Sequence, residues 1–286
     1  MKQLLILSGK GGTGKTTMAT AFIKLSSATA YADCDVDAPN LHLLMHQSAK
    51  AIESDYFGMP KAEINSQICV QCDLCRENCR FDAINFDDGY HVDPFVCEGC
   101  GVCEELCPVG AVSLKPEKAG DLMLYKEDVV FSRAQLKMGS GTSGMLVTEV
   151  KKSMKSAAED AEFAIIDGSP GIGCPVIASL SGVDMVLIVA EPSISGIRDM
   201  ERIIETARKF QARIAVCTNK FDTNIEIAES IEAFCKKNNL PFVGRVPFDL
   251  EAVEAINKGN SIIDSDSTSG FATRVVYKRT MELLSK

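Results

Sequence analysis

The sequence predicts an α/β protein: a mostly parallel sheet covered by helices on both faces, with a small cysteine-rich α+β unit inserted into it. Three observations carry this expectation. Apolar runs of strand length alternate with helical stretches along most of the 286 residues. A glycine-rich loop stands between the first such strand and the first helix. The alternation breaks once, between about residues 61 and 116, where eight of the twelve cysteines fall.

The elements follow in order. Leu4–Leu7 is a short apolar run that fits a buried parallel strand, Ser8–Gly14 is the loop, and Lys15–Ser26 the first helix. Ala28–Ala32 reads as a second strand. Phe163–Ile166, Met185–Ala190 and Ile214–Cys217 are further strand-length runs, and another strand precedes Val246-Pro247-Phe248-Asp249. Met145–Ala158, Ile197–Phe210 and Ile225–Lys237 are helical in pattern, and Ser269–Ser285 forms a terminal helix. A content of 46% hydrophobic and 24% charged residues suits one large domain plus a small one. The expected division is 1–60 with 117–286 as the large domain and 61–116 as the insert.

The net charge of −9 works against sequence-independent nucleic-acid binding, which needs clustered Lys and Arg to neutralise phosphates. No apolar run approaches the roughly 18–20 residues of a membrane span, and Leu4–Leu7 is too short for a secretory segment. The expectation is a cytoplasmic protein that binds neither nucleic acid nor membrane. On the terminal helix Arg274, Lys278, Arg279 and Lys286 lie beside Val275, Val276 and Leu283. A helix packed on its own core with a solvated basic face explains that pattern better than a membrane-surface helix does.

Gly9-Lys10-Gly11-Gly12-Thr13-Gly14-Lys15-Thr16 matches G-x-x-x-x-G-K-[ST] after a strand and before a helix, where a phosphate cradle belongs. The glycines let backbone N–H groups curl around phosphates, and the helix N-terminus adds partial positive charge. Lys15 is expected to reach the terminal phosphates and Thr16 to bind Mg²⁺.

Cys69, Cys72, Cys75 and Cys79 reappear at an offset of 28 as Cys97, Cys100, Cys103 and Cys107, and Ala83-Ile84 maps onto Ala111-Val112. Each run has C-x₂-C-x₂-C-x₃-C spacing, the pattern of a two-cluster bacterial ferredoxin, in which each cubane takes three thiolates from one run and the last from the other. One 4Fe–4S cluster is therefore expected on Cys69, Cys72, Cys75 and Cys107, and a second on Cys97, Cys100, Cys103 and Cys79. Zinc also takes four cysteines, but usually as two C-x₂-C pairs around one ion. Two departures stand out. Cys79 is followed by Arg80 where Cys107 is followed by Pro108, and Asp73 stands where the second run has Gly101.

The stretch Lys10–Thr17 resembles the deviant Walker A loop of the MinD, ParA, Mrp and nitrogenase iron protein superfamily of P-loop NTPases. Asp33–Asn40 resembles its switch I, Asp167-Gly168-Ser169-Pro170-Gly171 its switch II, and Glu191-Pro192-Ser193 a further segment. The resemblance covers nearly the whole chain and matches members that carry an inserted ferredoxin-like domain. It implies ATP and Mg²⁺ as cofactors beside the two clusters, a homodimer when ATP is bound, and a redox or iron–sulfur protein as partner. It implies that Lys10 reaches across the dimer, that Asp35 positions the attacking water, that Asp167 serves Mg²⁺, and that Asn219 and Pro247 contact adenine. Asn219-Lys220-Phe221-Asp222 also spells the N-K-x-D guanine motif, so GTP stays open at this point.

Cys34, Cys217 and Cys235 read as core thiols. Cys174, seven residues after Asp167, stands where nitrogenase iron protein has a cluster ligand, but no second cysteine accompanies it, and a structural thiol is the expectation. Three functions follow from the resemblance: an ATPase gating electron transfer, an iron–sulfur cluster carrier, and a spatial organiser.

Overall fold

The structure, a computed structural model, describes residues 1–286. The chain begins β1 (Lys2–Leu7), α1 (Lys15–Ser26), β2 (Ala30–Asp33), α2 (Leu41–Leu44) and β3 (Ile52–Phe57). Residues 61–115 hold β4 (Lys61–Ile64), α3 (Leu74–Glu77), β5 (Ile84–Phe86), β6 (Tyr90–Val92), α4 (Val102–Glu105) and β7 (Val112–Lys115). The chain returns through β8 (Lys118–Lys126), β9 (Val130–Leu136), α5 (Ser143–Ala157), β10 (Phe163–Asp167) and α6 (Cys174–Leu180). It closes with β11 (Met185–Ala190), α7 (Ile194–Lys209), β12 (Arg213–Asn219), α8 (Ile225–Lys237), β13 (Phe242–Val246), α9 (Leu250–Asn257) and α10 (Thr268–Ser285).

Nine strands make one sheet in the order β13-β12-β11-β1-β10-β2-β9-β8-β3. Pairings from β13 to β9 are parallel; β8 and β3 add an antiparallel edge. The parallel strands are apolar because helices cover both faces. Val147, Val150 and Met154 of α5 pack on one face with Ile203 of α7 and Ile231 of α8. Met18 and Phe22 of α1 pack on the other with Val276 and Leu284 of α10. The terminal helix thus lays Val276, Leu283 and Leu284 on the sheet and leaves Phe271 and Val275 exposed, and Arg274 braces the Ile263 carbonyl at 2.8 Å.

The periodic elements fall where the sequence places them, with ends moved by local chemistry. The second strand starts at Ala30 rather than Ala28, because Ser27 takes a left-handed conformation (φ 51°) that closes α1. The helix expected from Ile197 starts at Ile194, because Ser193 caps it, its hydroxyl accepting from Gly196 N–H. The antiparallel edge carries no clean sequence signal. β3 exposes Glu53 and Asp55, charges that suit an unpaired edge.

The unit at 61–115 hangs from this edge. β3 and β8 pair as far as Phe57–Lys118, and β4 and β7 pair from Lys61–Lys115. Inside it the two halves exchange at the offset of 28: α3 maps onto α4, β5 onto β7, and β4 onto β6. Asn65 N–H donates to Ala111 O as Asp93 N–H donates to Ala83 O, each at 2.8 Å.

One buried charge sits between α5 and α6. Lys151 Nζ donates to the carbonyls of Ser179 and Ser181, each at 2.6 Å, and lies 3.4 Å from that of Ala178. These are carbonyls left over at the C-terminal turn of α6. Burial pulls the Lys151 ammonium down to about 8 from 10.5, with the Cys34 thiol pushing the other way. A folded value below the unfolded one means the unfolded chain holds more protons across that window, so the contribution to stability rises as pH climbs from about 8 to 10.5. Urea unfolding across the window is expected to gain on the order of 2 kcal/mol in wild type relative to Lys151→Met; identical slopes would remove Lys151 as the cause.

Candidate functional site

β1 ends at Leu7 and the chain turns through Ser8–Gly14 into α1. Gly14 sits at φ 90°, and a Cβ there would stand 2.3 Å from Asn219 Nδ2, so only glycine fits. Lys15 opens α1 and its Nζ lies 2.6 Å from Asp167 Oδ1, with side chains 6% and 1% exposed. Burial works against the Lys15 charge, but Asp167, with Asp33 and Asp35 behind it, outweighs burial and raises its pKa. Asp167 ends β10, in register with Ile6 of β1 and Asp33 of β2. Its Oδ2 is buried without a partner.

Asp33 shapes the loop that follows β2. Its Oδ1 accepts from Asp35 N–H at 3.0 Å; Oδ2 accepts from Asn40 and Leu41 N–H at 3.1 and 3.0 Å. Burial and then the Asp167 charge push its carboxyl up to about 7. Two hydrogen bonds join this loop to the one after β10. Cys34 N–H donates to Asp167 O at 2.8 Å, and Ser169 Oγ–H donates to Cys34 O at 2.5 Å. Gly171 N–H donates to Ser8 O at 3.0 Å, tying the same loop to the glycine-rich turn.

Above these residues lies a cavity of about 820 Å³, within the range of small-molecule sites. Gly11, Gly12, Gly14, Lys15, Thr16, Thr17, Asp35, Asn219 and Pro247 all line it. Gly9, Lys10, Thr13 and Asp167 do not: they brace it or face elsewhere. Gly9 backs onto Asp199 of α7, and Asn219 Nδ2 donates to Thr13 O at 2.7 Å. Lys10 Nζ pairs within its own chain, 3.1 Å from Glu191 Oε2 and 3.2 Å from Ser193 Oγ. Ser169 and Lys220, whose Nζ donates to Gly12 O at 2.9 Å, stand in motifs named from sequence without a role of their own, whereas an apolar wall of Ala252, Val253 and Ile256 on α9 carries no sequence signal. Only its place beside the loop reveals that wall. Asp222 does not line the cavity; its Oδ1 accepts from Phe248 N–H at 2.7 Å, so the last residue of N-K-x-D is a brace.

The eight clustered cysteines line two smaller cavities. Cys69, Cys72, Cys75 and Cys107 share one, and Cys97, Cys100, Cys103 and Cys79 share the other. The α3 turn presents the first set and the α4 turn the second, with Asp73 (φ 65°) and Gly101 (φ 81°) at the equivalent caps. Ala111 N–H donates to Cys107 Sγ at 3.1 Å. Burial pushes the Cys107 thiol up, but the N–H groups of Val109, Ala111, Val112 and Gly110 outweigh it and lower the pKa. The remaining cysteines lie apart. Burial pushes the Cys34 and Cys217 thiols up to about 12 and Cys235 to about 11, as inert core thiols require. Cys174 is exposed at the start of α6.

The chain matches the CobQ/CobB/MinD/ParA nucleotide binding domain over residues 4–262. It belongs to that family. It is accordingly a P-loop ATPase of the MinD and ParA kind. An uncharacterised protein of Methanocaldococcus jannaschii is 33% identical over 99% of this chain and 97% of its own length. An iron-sulfur cluster carrier protein of Pyrococcus horikoshii is 24% identical over 99% of this chain and 84% of its own. The septum site-determining protein MinD of Pyrococcus horikoshii, solved with Mg-ADP, superposes with a TM-score of 0.59 at 17% identity over 99% of this chain and 96% of that one. In this MinD/ParA-type ATPase no helix is long and apolar enough to cross a membrane.

Lys15→Ala is expected to abolish nucleotide binding, because it removes the cation at the cavity floor. Lys10→Ala is expected to leave binding within a few-fold of wild type while slowing hydrolysis, since Lys10 is turned away from the cavity onto Glu191. Calorimetric titration with a non-hydrolysable ATP analogue separates the two. Equal loss in both would make Lys10 an ordinary member of the loop.

Proposed function

We propose that this ATPase is a dimeric switch that carries two 4Fe–4S clusters and couples its nucleotide state to electron transfer. The observation that carries this reading is the joint presence of an 820 Å³ cavity floored by the glycine-rich loop and two separate cavities each walled by four cysteines. Residues 1–60 with 117–286 form the ATPase domain in this reading, and 61–116 the ferredoxin-like insert.

The donor sets fit the groups. Each cavity gathers the four cysteines expected for one cluster. Their walls are mainly sulfur and hydrocarbon, which suits a compact inorganic body better than water. No three His, Cys, Asp or Glu side chains are grouped as a single ion would need, whereas zinc's bonds of about 2.3 Å draw four thiolates together. Bound there, a cluster supplies one-electron chemistry. The N–H groups around Cys107 would stabilise the negative charge of its thiolate.

At the nucleotide cavity, Lys15 would meet the phosphates, and Thr16 and the unpartnered Oδ2 of Asp167 would serve Mg²⁺. Asp35, held by the loop that Asp33 organises, would orient the attacking water. Adenine would lie between Asn219 and Pro247, and the engagement of Asp222 with Phe248 supports ATP over GTP. Lys10, released from Glu191, would cross to the partner subunit. Hydrolysis is expected to be slow and stimulated by a redox or iron–sulfur protein partner.

A second reading, an iron–sulfur cluster carrier, draws on the relative of that name. The grouping of all clustered cysteines inside the insert, with none paired elsewhere, favours resident clusters. Incubation with an apo-ferredoxin acceptor distinguishes them: a carrier empties, a resident cluster stays.

Anaerobically purified protein is expected to hold about eight irons per chain, and Cys100→Ser about four. Stoichiometric zinc with iron near zero would sink the cluster assignment.

A further inference from the structure

The segment between β9 and α5 touches the nucleotide-sensing loops and the insert at the same time. At its start, Leu136 N–H donates to Val36 O at 2.9 Å and the Gln135 amide to Asp37 O at 3.4 Å, so it is tied to the loop after Asp33. At its end, Gly144 in the first turn of α5 lies against Cys174, the first residue of α6: a Cβ on Gly144 would stand 3.1 Å from that of Cys174. α6 follows directly from Asp167–Gly171, and Lys151 fastens α5 to it. Between these ends the segment lies on the insert. A Cβ on Gly139 would come 3.0 Å from the Phe95 ring, and one on Gly58, in the stem of the insert, 2.6 Å from Thr142 Oγ1.

These contacts lead to one of the two cysteine sites. Phe95 is two residues before Cys97. Gly99, between Cys97 and Cys100, is buried under the stem, where a Cβ would stand 2.1 Å from Pro60 O. Lys61 Nζ donates to Cys97 O at 2.5 Å. The internal repeat supplies the comparison. The counterparts of Phe95 and Gly99 at the offset of 28 are Gln67 and Gln71. Phe95 is itself 75% exposed and meets Gly139 with one ring edge, so the contrast rests on Gly99, which is buried where Gln71 is exposed and carries its full side chain in the same left-handed conformation (φ 56°). The second run is seated on the ATPase edge; the matching surface of the first is open.

We infer that residues 137–144 relay the nucleotide state to the Cys97–Cys100–Cys103–Cys79 site and not to its pseudo-symmetric twin. This rests on the cluster reading above and names its regulation. Whatever moves the loops at Val36 and Asp167–Gly171 moves both ends of the segment together. Gly139 (φ 80°) and Gly141 (φ 68°) give it conformations that other residues resist. The physical warrant is a contiguous set of contacts, and coupling energy is what the test must measure.

Amide hydrogen exchange on the protein as purified, with and without Mg²⁺ and a non-hydrolysable ATP analogue, tests the relay independently of turnover. Protection is expected to change in 137–144 and 94–100 but not in 66–72. In Phe95→Ala and Gly58→Ala the change at 94–100 is expected to fall by more than half while nucleotide affinity stays within twofold. Changes confined to 9–17, 33–40 and 167–173, or an equal response at 66–72, would overturn the inference. EPR-monitored redox titration reads the same coupling: the analogue should shift one cluster's potential, with Cys100→Ser losing the responsive signal and Cys72→Ser keeping it. A tenfold change of nucleotide affinity on reduction corresponds to 59 mV. Equal shifts at both clusters, or none, would also overturn it. Absence of iron would defeat the cluster reading alone, leaving the exchange result to decide the relay.

Discussion

The rest of the molecule is arranged around one buried ion pair, Lys15 with Asp167, at 2.6 Å and almost without solvent contact. Two charges taken out of water persist only when paired and hydrogen-bonded. That requirement fixes β10 beside β1, because only the register of Ile6 with Asp167 brings the carboxylate under the first turn of α1. It also brings Asp33 to the neighbouring strand end, where burial first and the Asp167 charge second raise its pKa. Asp33 is tolerated because three backbone N–H groups of the following loop are aimed at it. The loop that carries Asp35 is therefore folded by the same electrostatic arrangement that holds the lysine. A polyanionic ligand at the cavity floor would compete with Asp167 for Lys15, and through Cys34 and Ser169 that competition reaches both flanking loops.

The unit at 61–115 obeys a different constraint. With few apolar residues of its own, it has a core of six buried residues, two of them cysteines. So small a core leaves room for other sources of stability, which is the situation in which small domains depend on metals. Its duplication shows what the backbone demands. Three positions adopt left-handed conformations in both halves: Gln71 with Gly99, Asp73 with Gly101, and Asp82 with Gly110. The second half fills them with glycine; the first accepts a strain of roughly 1–2 kcal/mol at each. At Asp73 the side chain bonds Arg76 Nε at 2.7 Å, which offsets part of that cost. At Gly99 the substitution is not free, because the stem occupies the space a side chain would need. The halves differ where one meets the ATPase edge and the other meets solvent.

Sequence alone determined the elements whose chemistry is local. The glycine-rich loop, its flanking strand and helix, and the apolar parallel strands are written in short spacings that need no distant partner. So is the repeat of four cysteines at a fixed offset. What lay beyond it was non-local. The antiparallel edge β8–β3 mixes charged and apolar residues without a clean alternation, and exists because β9 offers it a partner. The cysteines of one run join the last cysteine of the other because β4 pairs with β7, a long-range closure that spacing suggests only through resemblance. Lys10 lies on Glu191 and Asp222 on Phe248 because residues remote in the chain reach them first. Lys151 became a buried clamp only when α6 ended beside it. Short-range pattern fixes which groups are present; packing decides which of them meet, because a hydrogen bond or ion pair depends on position in space and not on distance along the chain.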